Sequence, residues 1–309
     1  MSRTDAHQQG VALIVALLVL AIASGLAVSM IAQNQRAIDA TAIAFQGAQA
    51  DRLAEGALAL AQIALESDAP EVDSPADEWA TPIKGLPVES GQIDLQIVDL
   101  QGRLNLNNLI TAEGKLDPLA QERLTRLLTH LNIPSERAGA IADWIDPDQL
   151  LSTNGAEDGS YLSRNPPYRT ADLPLRSVSE LRAIAGLTAT EYDRLAPHVT
   201  ALPRGTALNL NTATPAALVA IGAAESAEQA TEREPAGSVS QALAQPLYRD
   251  RSIDPARLAV NSHYFLCSVT VRLDRSTRYR HAVIERRNDG STHIIAMSNR
   301  PCLSGHYCI

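Results

Sequence analysis

Five carboxylates fall within a short stretch rich in Gly, Pro and Ser: Asp146, Asp148, Glu157, Asp158 and Asp172. Carboxylates on irregular loops can converge on a hard cation, and calcium, which takes about six to eight oxygens in tolerant geometry, suits such a set. The spacing is not that of an EF-hand, and it does not select a ligand set by itself. From these residues alone the plainer reading is structural, with Asp146-Pro147-Asp148 a turn and Glu157-Asp158 a solvated corner. Three cysteines are present. Cys267 closes the apolar run Tyr264-Phe265-Leu266-Cys267 and reads as a buried strand residue, whereas Cys302 and Cys308 share a short C-terminal tail that a disulfide could close in an exported domain. No enzyme is expected. The chain has no Gly-x-Ser-x-Gly elbow, phosphate loop or His-Glu-x-x-His, and His263, His281 and His293 fall on predicted strands without ligand spacing. Asp143 precedes Trp144, which reads as a core anchor at a helix end rather than as the neighbour of a catalytic acid.

A formal net charge of −9 argues against a general nucleic-acid or anionic-membrane binder. Two Phe and two Trp leave few stacking platforms. One motif points the other way. Val178 to Leu187 (Val-Ser-Glu-Leu-Arg-Ala-Ile-Ala-Gly-Leu), followed by Leu208-Asn209-Leu210-Asn211-Thr212-Ala213, resembles helix-hairpin-helix sequence, which holds DNA phosphate on backbone amides. Such a module wants Lys or Arg around Gly186 and Gly205; Arg182 and Arg204 are there, but Glu180 and Glu191 offset them. The alternative function this leaves is a singly anchored periplasmic binding protein with a DNA-binding region.

The elements that must position these residues begin with the N-terminus. After a short polar leader ending in Gln9-Gly10, Val11 to Ala32 runs uncharged, long enough as a helix (roughly 33 Å) to cross a bilayer core. A signal peptide has a shorter apolar stretch with its small residues after it. Here the small residue, Gly10, comes first. A near-heptad pattern then continues through Ala42, Phe45, Leu53, Ala57, Leu60 and Ala64 until Ser67-Asp68-Ala69-Pro70, so one helix is expected from about Val11 to Glu66.

A proline-bearing loop from Pro70 to Ser90 leads to Gln92 through Asp99, which alternates apolar and polar and is expected to form a hairpin with Arg103 to Asn107. Strands are next expected at Tyr264–Leu273, Tyr279–Arg286 and Ser291–Met297, with Asn288-Asp289-Gly290 as a turn. Between the two strand regions the signal is helical, over Leu116–Leu131, Pro134–Ile145, Ser177–Ala185, Thr188–His198 and Thr214–Ile221. Two strands alone are unstable, so the early and late strands should join into one sheet. The expected class is α+β: a long N-terminal helix on an antiparallel sheet with a large α-helical domain inserted between its strands. The divisions are a leader (1–10), a membrane half-helix (11–32), helix and first strands (33–108), the inserted domain (109–258) and the last strands and tail (259–309).

A leader cut at Gly10 that leaves the apolar helix on the mature chain resembles those of type IV prepilins and type II secretion pseudopilins, where the new N-terminus, here Val11, is often methylated. Such leaders usually carry Lys or Arg beside the glycine, whereas here Arg3 is the fixed positive side chain. Most pilins also place a Glu where this chain has Val15, a buried charge that makes sense only beside a partner's amine. The layout as a whole resembles the K-class minor pseudopilin of type II secretion, a class that lacks that Glu. Asp99 to Asn107, Asp143 to Asp148, Gly155 to Asp158 through Tyr161, Pro166 to Arg169, Ser179 to Leu181 and Leu208 to Ala213 carry the resemblance, which leaves out Ala223 to Ser252. It implies a single-pass protein of the bacterial inner membrane with its bulk in the periplasm, processed by prepilin peptidase. It implies a place at the pseudopilus tip with the I-class and J-class minor pseudopilins, marked by Val15 and starting or capping assembly for export of folded proteins. It implies calcium in the helical domain and no nucleic-acid partner.

Overall fold

The computed structural model describes residues 3–223, 234–248 and 253–301. Cys302 and Cys308 lie outside them, as do 224–233 and 249–252.

The chain begins with α1 (Arg3–Ser67), a single 65-residue helix about 98 Å long. Its N-terminal part, apolar on every side as far as Ala32, is exposed from Leu13, and this helix is long and apolar enough to cross a membrane. Only its last third has something to pack on. There Ala50, Ala54, Ala57, Leu58, Ala61 and Leu65 form a buried stripe at helical spacing, and the four alanines let the helix lie close on a sheet.

The chain continues through β1 (Ile83–Val88), β2 (Gly91–Asp99), β3 (Leu104–Asn105), α2 (Pro118–His130), α3 (Arg137–Ile145), α4 (Asp158–Leu162), α5 (Ala189–Leu195), β4 (Val199–Thr200) and β5 (Leu208–Asn209). It ends with α6 (Pro215–Ala220), α7 (Val239–Leu243), β6 (Leu258–Ala259), β7 (Tyr264–Leu273), β8 (Ser276–Arg286) and β9 (Thr292–Ser298). Five strands make an antiparallel sheet in the order β1-β2-β7-β8-β9, so early and late strands do join, through β2 and β7. Inward-facing Ile93, Leu95, Ile97, Phe265, Val269, Val271, Ala282 and Ile284 meet the alanine stripe, with Trp79 edge-on to Phe265 at 5.0 Å.

Two strand expectations are corrected. Residues 103–107 do not pair back on 92–99: β2 instead forms its hairpin with β1, and β3 pairs in parallel with β4. The reason is polar. The side chains of Asn105 and Asn107 bind distant backbone, at Leu202, Pro203 and Leu175, and draw this segment out of the sheet. Within the stretch read as a loop, residues 83–88 form an edge strand. Pro87 is tolerated there because an edge residue can spare its missing N–H.

The chain leaves the sheet after Asp99 and returns at Tyr264, with Asp99 and Phe265 paired across the two strands. Between them lie two apolar cores. The larger includes Leu106, Leu124, Leu127, Ile141, Ile145, Tyr161, Leu181 and Leu195, and the smaller Leu210, Ala217, Leu218, Tyr248 and Val260. The helices stand where periodicity places them, except that 178–183 and 196–198 are 3-10 turns.

Candidate metal centre

Asp143, Asp146 and Glu157 each offer an oxygen within 4.8 Å of the others'. Sequence sets this up locally. Asp143 sits in the last turn of α3, and Asp146, its C-cap, follows three residues on, which puts both carboxylates on one side of the helix end. That is the negative end of the helix dipole, and no basic residue occupies the last turn. Glu157, the N-cap position of α4, makes no side-chain capping bond. The loop between them folds back tightly. Ser152 N–H donates to both Asp143 oxygens at 3.2 Å, and a Cβ on Gly155 would collide with the Asp143 carboxylate, so glycine is required there.

All three acids are buried, and the oxygens Asp146 Oδ1, Glu157 Oε1 and Glu157 Oε2 find no hydrogen-bond partner among the described residues. Orphaned buried oxygens are costly, and more so when they carry charge. Burial first, then the neighbouring Asp143, raises the Asp146 carboxyl to about 7 and that of Glu157 to about 8. Asp148 and Asp172 add to both shifts. An all-oxygen, irregular, negatively charged set fits a hard cation; zinc would want nitrogen or sulfur.

The five carboxylates read from sequence divide into three kinds. Asp146 and Glu157 are in the cluster. Asp148 and Asp172 border it: Asp148 accepts from Leu150 N–H at 2.7 Å, and Asp172, at φ 51°, accepts from Gln149 Nε2 at 3.1 and 3.2 Å. Asp158 faces elsewhere, accepting from Thr170 N–H and Oγ1 at 3.1 Å and from Arg169 at 2.9 Å. Asp143 was missed as a possible ligand, although its spacing of three from Asp146 was a usable signal. Its neighbour Trp144 is a core anchor, edge-on to Tyr161 at 5.3 Å and Tyr168 at 6.4 Å beneath the loop.

A second group, Asp68, Asp73 and Asp77, gathers as closely. It already holds a cation. Arg286, fully buried against Phe265, donates to Asp73 at 2.5 and 2.7 Å and to Asp68 at 3.3 Å, while Asp77 accepts from Ser74 N–H at 2.7 Å. In the region resembling helix-hairpin-helix sequence two arginines are also engaged internally. Arg137 lies where a Gly186 side chain would be and pairs with Glu191, and Arg182 stacks over Tyr192 at 4.3 Å.

Comparison with known proteins gives a consistent result. The family described as "Type II secretion system (T2SS), protein K" matches residues 102–204, which contain the whole carboxylate centre. Type II secretion system protein K of Klebsiella pneumoniae is 34% identical over 306 residues, covering 91% of this chain and 93% of that protein. Its Pseudomonas aeruginosa counterpart is 32% identical, with 94% and 92% covered. A chain of the GspK-GspI-GspJ complex from enterotoxigenic Escherichia coli superposes with a TM-score of 0.73 at 27% identity, covering 82% of this chain and 96% of that one. None of these relatives supports a nucleic-acid-binding reading.

Proposed function

Since the chain belongs to the type II secretion system protein K family and is a minor pseudopilin, we propose that it stands at the tip of the pseudopilus with I-class and J-class partners. The observation that carries this is the contrast along α1: an exposed apolar stretch from Leu13 to Ala32, then a stripe from Ala50 to Leu65 already covered by its own sheet. The bare part rests in the inner membrane and, on assembly, exchanges lipid for partner helices. The covered part carries a bulky domain on the periplasmic side, which leaves little room for another subunit above. Val15 suits this place, since no amine from a subunit above needs neutralising there. The structural relative's complex with GspI and GspJ supports the choice of partners.

Prepilin peptidase would cut after Gly10 and leave Val11 as a methylatable N-terminus. Mass spectrometry of the mature chain tests this directly. Cleavage and its loss in Gly10→Ala are expected, and an intact Met1 in a host with the peptidase would overturn the processing. Co-purification with the I and J subunits tests the tip; failure to form a stable ternary complex counts against it. The role is structural, with no catalytic step.

The carboxylate centre is the domain's calcium site in this reading, held by Asp143, Asp146 and Glu157 with Asp148 and Asp172 adding negative charge beside it. A bound ion supplies the positive charge that the orphaned oxygens lack and fixes the loop to the end of α3. Calorimetric titration of the purified chain with calcium, after chelation, is the test. No heat and no rise in the unfolding midpoint would remove the metal from the account.

A further inference from the structure

Leu104-Asn105-Leu106-Asn107 and Leu208-Asn209-Leu210-Asn211 are one motif twice, and the structure uses them alike. In each, the first Asn accepts from the second's N–H, at 3.2 and 2.9 Å. The second Asn then clasps two remote backbones. Asn107 exchanges bonds with Leu175 N–H and C=O at 2.7 and 2.9 Å and donates to Leu202 C=O at 2.9 Å. Asn211 does so with Ala236 at 2.9 and 3.0 Å and donates to Val260 C=O at 3.3 Å.

The likeness extends beyond the latch. Each motif precedes a helix with Pro at its start and a capping side chain, Asp117 or Thr214. Each helix ends on a left-handed residue, Asn132 (φ 53°) or Gly222 (φ 80°), closed by Ile133 N–H to Leu128 C=O at 2.8 Å or Ala223 N–H to Leu218 C=O at 2.9 Å. Ser177-Val178-Ser179-Glu180 then answers to Ser238-Val239-Ser240-Gln241, with Glu180 accepting from Arg176 N–H at 2.7 Å as Gln241 does from Gly237 at 2.8 Å. Each motif strand closes in parallel on a later one, β3 on β4 and β5 on β6.

The copies differ in what they hold. The first has the carboxylate centre between its helix and its Ser-Val-Ser turn. The second is bonded to the body: Asn209 Nδ2 donates to Asp73 C=O, Asp99 Oδ2 and Ser262 Oγ, and Thr212 also donates to Asp99. The first meets the body through apolar contact, Leu202 with Leu100 and Leu266. It is bonded to the second by Thr214 N–H to Gly102 C=O at 2.7 Å and by Arg257 to Asp117 at 2.7 Å.

We propose that the inserted domain is two copies of one asparagine-latched unit with divided roles: the second mounts the domain on the sheet, and the first is a cation-stiffened unit standing on that mount. The cation clause rests on the calcium reading above; the mount does not.

Hydrogen exchange on the full-length chain in detergent, read by mass spectrometry, separates the roles. Asn107→Ala should speed exchange about tenfold or more within 102–204 and leave β5, β6 and β7 protected. Asn211→Ala should loosen both copies. In the wild type, chelation should loosen residues 131–175 and spare β5 and β6. Loosening of the second copy by Asn107→Ala, or confinement of the Asn211→Ala effect to its own copy, overturns the mount; equal loosening of both copies by chelator overturns the division of roles. A wild type unmoved by chelator in every peptide overturns the calcium reading and the cation clause together, while the two variants still decide the mount. Asn107→Ser and Asn211→Ser, which retain a hydroxyl, give the same ordering where the alanine variants do not fold.

Discussion

Asp68, Asp73 and Asp77 bring their oxygens as close together as Asp143, Asp146 and Glu157 do, but they lie at the root of the sheet beside Arg286. In that first group the positive charge comes from the chain itself, held over the ring of Phe265 at 5.0 Å and by Ser262 C=O at 3.0 Å. In the second, among the described residues, no guanidinium or ammonium is bonded to the three carboxylates, and three oxygens are left over. Proximity of carboxylates therefore says little about metal; what distinguishes a site is whether the fold has already neutralised it.

The contrast can be broken most severely at Arg286. Arg286→Met should lower stability by about 3–5 kcal/mol in urea unfolding, with or without calcium, because it leaves Asp73 buried and unpaired. A loss below about 1 kcal/mol would mean that the arginine is not what neutralises its cluster. Next in size is Glu157→Gln. At a calcium concentration about 100-fold above Kd the wild type should gain about 2.7 kcal/mol, and the variant should lose most of that gain. In chelator the order should reverse, the variant melting above the wild type because a repelling charge is gone. A variant that melts lower in both conditions would assign Glu157 to packing alone.

Burial raises Asp73 to about 7 in spite of Arg286, so the pH profile separates the two groups through their response to calcium and not through the raised carboxyls alone. Asp146 and Glu157 titrate at about 7 and 8 in the folded chain, against ordinary values of 3.8 and 4.5, so the metal-free fold holds protons that the unfolded chain has released. Their contribution to metal-free stability is full below the ordinary values and is lost as pH rises through 7 to 8. Calcium needs the deprotonated acids, so its affinity should rise over the same window. Melting of wild type minus Glu157→Gln, with chelator and with calcium from pH 5 to 9, should give slopes of opposite sign. The smallest effect is expected from Asp158→Ala, at about 1 kcal/mol or less and with calcium binding unchanged, since its partners are Thr170 and the exposed Arg169.

Much of the fold could be read from periodicity, because the last third of α1, β2 and β7 each bury one face and write that face into the sequence. The β3 segment misled for a physical reason: Leu104-Asn105-Leu106-Asn107 alternates like a strand, but its polar residues are buried latches rather than a wet face. The loop acids were legible as a group and not as a geometry. Asp146 and Glu157 are brought together by the fold of residues 147–156, which no local spacing encodes, and Asp143 was hidden by its place in an otherwise apolar helix.

The pairing of β2 with β7 sets Asp99 opposite Phe265 and Gly91 opposite Leu273, partners separated by the entire inserted domain. Closing so long a loop from an unfolded chain is entropically slow. Once the insert has folded, its two ends lie side by side, and the sheet has only a short gap to close. The domain at the head of the molecule thus also acts as a timer for its body: in pulse-labelling during refolding, amides of α2 and α6 should gain protection before those of β2 and β7.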